Sequence, residues 1–228
     1  MRKYDNYHNK KGLMINSNLP LTWLKLIKKF PSLNKKISLI INLPKNAKLL
    51  DVGCGMGTFL KYVHHIRPDI ELYGVDVSNG LRDRLPDFIN FEYCSGDKLL
   101  FDNNYFDLVI SQHVLEHVNN LDEFIREFKR VTKKYIIIVT PNTKTLFLWD
   151  SKNFYSDFTH QSFKNLALMF NLKIVYLRFE RFINIPWLLL LFSFPYFFIK
   201  GKFSDWLPNF LCKMGVCMIC EKVGDEKE

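Results

Sequence analysis

Leu49-Leu50-Asp51-Val52-Gly53-Cys54-Gly55-Met56-Gly57 places three glycines at alternate positions behind a short apolar run. The pattern predicts a strand, a tight turn and then the start of a helix. Glycine has no Cβ, so backbone in such a turn can come close to a ligand. The spacing G-x-G-x-G is near the G-x-G-x-x-G dinucleotide pattern but differs from it. Gly57 falls one position early, and Asp51 precedes the turn. Beside a pyrophosphate that carboxylate would repel; beside a positive amino group it would attract. The residue types therefore favour a nucleoside with a cationic amino-acid tail over a nicotinamide dinucleotide.

Further segments follow in a fixed order. Leu72-Tyr73-Gly74-Val75-Asp76-Val77-Ser78 reads as a second strand ending in an acid, 19 residues past Gly57. A carboxylate there can accept hydrogen bonds from both ribose hydroxyls. Cys94-Ser95-Gly96-Asp97 reads as a turn, and Phe106-Asp107-Leu108-Val109-Ile110-Ser111 as a strand running into Gln112-His113-Val114-Leu115-Glu116-His117-Val118. With these segments at these spacings, the chain resembles the class I S-adenosylmethionine (SAM)-dependent methyltransferases over residues 45 to 180. The resemblance implies SAM as cofactor. It implies that Gly53, Gly55 and Gly57 pack under the methionine and ribose part and that Asp51 faces the amino end. Asp76 would meet the ribose, Asp97 the adenine amino group, and Val77 would also bind the cofactor. Ser111, through its carbonyl, and Gln112 would border the methyl-transfer position.

Three readings of His113, Glu116 and His117 stay open. His-Val-Leu-Glu-His fits the H-x-x-E-H metalloprotease pattern, which must lie on a helix; here it directly follows a strand, and proteolysis is disfavoured. Some related methyltransferases carry Glu-x-x-Glu-His at this place around a divalent ion. His113 stands where the first Glu would be, which removes a hard oxygen ligand, and no metal is assigned, although His160 is a conceivable further ligand. In the remaining reading Glu116 and His117 orient the loop and helix start near Asn119, and a histidine serves as general base. His113 is the first choice for that base, being nearest the strand end, with His117 second; imidazole suits removal of a hydroxyl proton near neutral pH. Thr140-Pro141-Asn142 and Asp157-Phe158-Thr159-His160 resemble segments of relatives that modify sugars, lipids or quinones. There His160 is either an acceptor contact or a helix-cap neighbour, and Tyr155 and Trp149 either line a pocket or fill core.

These residues need a scaffold that brings several strand ends together. Strands are expected near 47–52, 71–76, 88–93, 105–111, 134–140, 173–180 and 216–223, and helices near 57–66, 79–85, 119–131 and 160–171. Strand–helix alternation with nearly continuous apolar strands predicts a doubly wound α/β sheet covered on both faces. The fold class is a Rossmann-like seven-stranded sheet, its last strand antiparallel by resemblance. Leu21 to Phe30 and Leu33 to Leu43 carry helical apolar spacing ahead of it. A basic helical arm is expected over 1–45 and the methyltransferase domain over 46–228, with an apolar insert at 182–213.

The formal net charge is +9, and residues 1 to 48 hold eleven Lys or Arg against one acid, Asp5. The excess is thus confined to the arm, which could meet nucleic acid, anionic lipid or a phosphorylated substrate, or be a solvated face. Nucleic acid is disfavoured, since no aromatic-and-basic strand platform is visible. Hydrophobic residues make up 48% of the chain, with 21 Phe, and the surplus is local. Phe182 to Ile199 is eighteen residues without a charge, interrupted by Pro186 and Pro195. One crossing could not return the chain to its own sheet, so this segment is expected to be a membrane-surface contact, a dimer patch, a lid or buried core. Five cysteines, with no secretory pattern ahead of them, suit a reduced, cytoplasmic setting, at the inner membrane face if 182–199 lies on lipid. Cys217 and Cys220 lie in a strand-like run, where positions three apart face opposite sides; core cysteines are expected, not a metal or redox pair.

The expected activity is SAM-dependent methyl transfer, to a hydroxyl of a sugar or lipid-linked glycan. Quinone or isoprenoid-ring methylation, RNA 2′-O-methylation and a non-catalytic interaction module are the alternatives.

Overall fold

The computed structural model describes residues 31–78, 80–141, 158–180 and 215–223. The elements run α1 (Pro31–Ile41), β1 (Lys48–Val52), α2 (Thr58–Ile66), β2 (Glu71–Asp76), β3 (Ile89–Tyr93), β4 (Phe106–Gln112), α3 (Leu121–Val131), β5 (Thr132–Pro141), α4 (His160–Met169), β6 (Leu172–Glu180) and β7 (Gly215–Lys222). They form one seven-stranded sheet in the order β3-β2-β1-β4-β5-β7-β6. β1 lies between β2 and β4, parallel to both, and β7 runs antiparallel between β5 and β6. The chain winds outward from β1 in one direction to β3 and then restarts at β4 on the other side. That reversal falls at the carboxyl ends of β1 and β4, the place where open α/β sheets bind ligands.

Each face of the sheet buries its own apolar layer. Leu50, Val52, Ile136, Ile138, Val216 and Met218 face α3 and α4, which contribute Phe124, Phe128 and Phe163. Leu49, Ile110, Ile137, Val139 and Ile219 face α1 and α2, which contribute Ile40, Leu60 and Val63. Period-two alternation along strands buried on both faces produces this division. Cys217 and Cys220 fall on opposite faces, both buried, as the strand period requires.

The expected helix at 79–85 is a single 3-10 turn, Arg82–Arg84. Pro86 follows it, and the residue before a proline is pushed out of the helical region. Leu85 is accordingly extended, at φ −91° and ψ 144°. The Arg82 guanidinium instead donates to the Phe91 carbonyl at 2.9 Å, tying the turn to β3. α3 is capped by Asn120, whose side chain accepts from the Glu123 amide, and α4 by a Thr159–Ser162 capping box. Leu21 to Phe30 and the apolar insert lie outside the described residues.

α1 is fixed to the domain by a distant arginine. The Arg67 guanidinium donates to the carbonyls of Ile40, Ile41, Leu43 and Pro44 at 2.7–3.2 Å. Asp69 holds that guanidinium through two further bonds of 2.7 Å. The carbonyls at and just past the helix C-terminus thus meet a buttressed cation. With Ile40 in the core below, the C-terminal end of α1 is set firmly against the sheet.

Candidate functional site

β1 ends in a turn of three left-handed glycines: Gly53 at φ 78°, Gly55 at 50° and Gly57 at 66°. At Gly53 the requirement is double. Its φ suits glycine, and a Cβ there would run into a methyl group of Val114. Gly57 is the N-cap of α2, and its carbonyl accepts from the Lys61 amide at 2.8 Å. The amides of Gly53 and Cys54 both donate to the Val75 carbonyl, which binds the turn to the end of β2.

Asp76 closes this turn from the next strand. One carboxylate oxygen accepts from the Gly55 amide at 2.9 Å, the other from the Ser78 amide at 2.8 Å. Both oxygens of the acid expected at a ribose are thus bonded to backbone amides, one of them in the glycine turn. Val77, next to it, is exposed.

Asp51 is buried, with 3% of its surface exposed, on the sheet face covered by α1. Burial, and then the charge of Asp76, push its carboxyl up to about 7, while Lys36 opposes the shift. Lys36 was not anticipated. It sits on the buried side of α1, 5% exposed, and its ammonium donates to Gln112 Oε1 at 3.2 Å. The available signal was helical spacing: Ser32, Lys36 and Ile40 share one stripe at intervals of four, and all three are buried. The inward stripe of α1 thus turns from apolar to polar toward the helix N-terminus.

On the other side of β1, the Ser111 hydroxyl donates to the Val52 carbonyl at 3.0 Å. That bond ties the ends of β1 and β4 together and commits the Ser111 side chain to the scaffold. Asp97 lies half-buried in a turn whose far side is pinned by α3. Glu127 accepts from the Leu99 amide, and Arg130 donates to the carbonyls of Leu99 and Phe101. Gly96 in that turn packs against Val52 and Phe124, so the Asp97 turn abuts the β1 end.

Beyond Gln112 the chain turns at His113, which has φ 58°. A left-handed histidine is uncommon and marks a constrained turn. Its amide donates to the Val139 carbonyl at 2.8 Å, and its side chain is 41% exposed. A 3-10 turn, Leu115–His117, follows and buries Glu116 to 1%. Glu116 Oε1 lies 3.9 Å from His113 Nδ1 and 3.9 Å from His117 Nε2. A buried carboxylate between two imidazoles stabilises positive charge on either ring. Among the described residues no group of three His, Cys, Asp or Glu side chains is arranged to hold a metal ion. His160 is the first residue of α4, next to the Thr159 cap.

The structure therefore brings Asp51, Gly53, Gly55, Gly57, Asp76, Ser111, Gln112 and His113 to one end of the sheet, around the reversal between β1 and β4. The chain has the doubly wound fold seen in class I SAM-dependent methyltransferases, with the glycine turn and Asp76 beside its switch point. Residues 50–139 match the family model described as "Methyltransferase domain". Among curated proteins, the chain is 31% identical over 112 residues to the ubiquinone biosynthesis O-methyltransferase of Pelagibacter ubique, covering 45% of each chain. It is 35% identical over 130 residues to the carboxy-S-adenosyl-L-methionine synthase of Campylobacter fetus, covering 53% of this chain and 52% of the relative. The chain spans about half the length of these relatives. A SAM-dependent methyltransferase structure from Aquifex aeolicus shares the fold with a TM-score of 0.59 at 15% identity, over 87% of this chain and 98% of that one. Among the described residues, no helix is long and apolar enough to cross a membrane.

Proposed function

We propose that the protein is a SAM-dependent methyltransferase acting on a hydroxyl oxygen, with His113 as general base. The observation that carries this reading is the placement of His113. It stands at the end of β4, partly exposed, with buried Glu116 beside its Nδ1, next to the strand end that carries the cofactor motifs. The residues present suit the cofactor. A buried carboxylate and a buried ammonium, Asp51 and Lys36, match a zwitterionic tail, and Asp76 offers acceptors for ribose hydroxyls. Asp97 stands in a turn against the same strand end and suits the adenine amino group.

When bound, SAM supplies a methyl group on a sulfonium, an electrophile that needs alignment more than activation. The remaining tasks belong to the protein. The side chains after β4 hold the acceptor hydroxyl in line with the methyl group. His113 would take the hydroxyl proton at Nε2, leaving Nδ1 toward Glu116, as the acceptor oxygen receives the methyl group that SAM would supply. Glu116 stabilises the resulting imidazolium, and His117 shares that carboxylate.

For the acceptor we infer a sugar or lipid-linked glycan, supported by the basic charge of residues 1 to 48 and the apolar run 182–199. That run would contact lipid peripherally at the inner membrane face, or pair two copies. A second reading, a phenolic quinone precursor, is favoured by the similarity to a ubiquinone biosynthesis O-methyltransferase. Methyl-labelled SAM, purified protein and a source-cell lysate, separated into aqueous, RNA, glycolipid and quinone fractions, decide between them. Label in glycolipid supports the glycan, and label in the quinone fraction the second reading. Label in RNA overturns both.

A further inference from the structure

We infer that Lys36 is a cofactor-specificity residue: with Asp51 it forms a pair of opposite charges that selects the intact zwitterionic amino-acid tail of the cofactor. The inference rests on the reading of this site as a SAM pocket. Three observations lead to it. First, Lys36 is buried on the sheet-facing stripe of α1, where an apolar residue would be expected, so its charge is held at a cost in desolvation. Second, its ammonium reaches Gln112 at the end of β4, 76 residues away, and Gln112 lies two residues past Ile110, the register partner of Asp51, on the same face of the sheet. It therefore stands at the reversal between the two strands, where the cofactor motifs converge. Third, α1 is anchored at its other end by Arg67 and Ile40, so Lys36 is delivered by a fixed helix.

The chemistry of the pair follows from sign. Asp51 suits an α-ammonium and repels an α-carboxylate. A site with Asp51 alone would accept a decarboxylated tail as readily as a complete one. Lys36 supplies the missing attraction for the carboxylate, and Gln112 Oε1, which accepts from its ammonium at 3.2 Å, orients the lysine head. A ligand lacking the carboxylate forgoes this contact, and one lacking the whole tail forgoes both.

The test compares three stable ligands by calorimetry: S-adenosylhomocysteine, its decarboxylated analogue S-adenosyl-3-thiopropylamine, and 5′-methylthioadenosine. The wild-type protein is expected to prefer S-adenosylhomocysteine over the decarboxylated analogue by about 10- to 100-fold, the usual effect of one charge-assisted hydrogen bond. Lys36→Met should remove that preference by weakening S-adenosylhomocysteine alone, leaving methylthioadenosine affinity unchanged. Lys36→Arg should restore most of the preference. The inference is overturned if the wild-type protein binds the first two ligands equally, a result that needs no variant to fold. It is also overturned if Lys36→Met weakens all three ligands equally, or if it tightens S-adenosylhomocysteine, which would make Lys36 a stand-in for the cofactor ammonium. A wild-type protein that binds none of the three defeats the SAM reading itself, a result distinct from loss of the preference alone.

Discussion

The turns that follow β1 and β4 lie side by side at one end of the sheet, and both leave their strands through left-handed residues. After β1 those residues are glycines, and the turn is bonded on two sides, to the Val75 carbonyl and to the Asp76 carboxylate. After β4 the left-handed residue is a histidine, held through one backbone bond to Val139 and beside a buried glutamate. The first turn relieves backbone strain by having no side chain. The second retains the strain and gains an exposed imidazole. On the proposed function the first turn binds, which needs close backbone approach, and the second is catalytic, which needs a reactive side chain; backbone strain of this sort is found at functional sites.

The comparison can be broken most directly at the imidazole. His113→Ala should leave SAM affinity unchanged and lower turnover by about 10²- to 10⁴-fold, the range for loss of a general base. Retained turnover would make the β4 turn a scaffold and remove the contrast. The complementary change, Gly53→Ala, should act on stability. It combines a left-handed alanine with a collision at Val114, together about 2–5 kcal/mol in urea unfolding. A loss under about 1 kcal/mol would mean that the glycine turn is looser than its geometry implies.

Asp51 sharpens the comparison through pH. Its carboxyl, ordinarily near 3.8, is pushed up to about 7 by burial and then by Asp76. Between those values the unfolded chain has lost the proton and the folded protein keeps it. Rising pH over this window therefore lowers stability, by up to about 4 kcal/mol, with no further change from this group above it. A bound ammonium favours the ionised form, so SAM affinity should rise as pH increases toward 7 and level off beyond it. Asp51→Asn should flatten both profiles. Parallel wild-type and variant profiles, from unfolding and from calorimetry, would remove Asp51 from the ammonium contact.

The smallest effect is the most discriminating. His113→Gly should stabilise the fold by about 1 kcal/mol, through relief of the left-handed penalty, while abolishing the base as fully as alanine does. A variant more stable than wild type yet slow would show that the β4 turn trades stability for chemistry. A destabilised variant would show instead that the imidazole holds the turn together through Glu116.

Much of this architecture follows from local pattern. The alternation of apolar residues in β5 and β7 specifies two buried faces and sends Cys217 and Cys220 to opposite layers. The three closely spaced glycines specify a turn that tolerates no Cβ, and apolar strands between helical stretches specify a parallel sheet. Where local pattern misled, at 79–85, the competing local signal was Pro86, which shortened the helix to one turn.

Other features depend on where distant segments meet. Nothing in the spacing of α1 says which strand ends its polar stripe will face. That follows from its docking angle, fixed by Ile40 in the core and by Arg67 on its terminal carbonyls. Only then do Lys36, Gln112 and Asp51 share one site. Likewise Asp76 is legible as an acid at a strand end, but its bond to the Gly55 amide exists only because β2 lies beside β1 in register. The sequence by itself determined the elements and the turn, because strand period, helix period and positive φ are properties of neighbouring residues. The tertiary structure decided which charges face one another, because that depends on how whole elements pack.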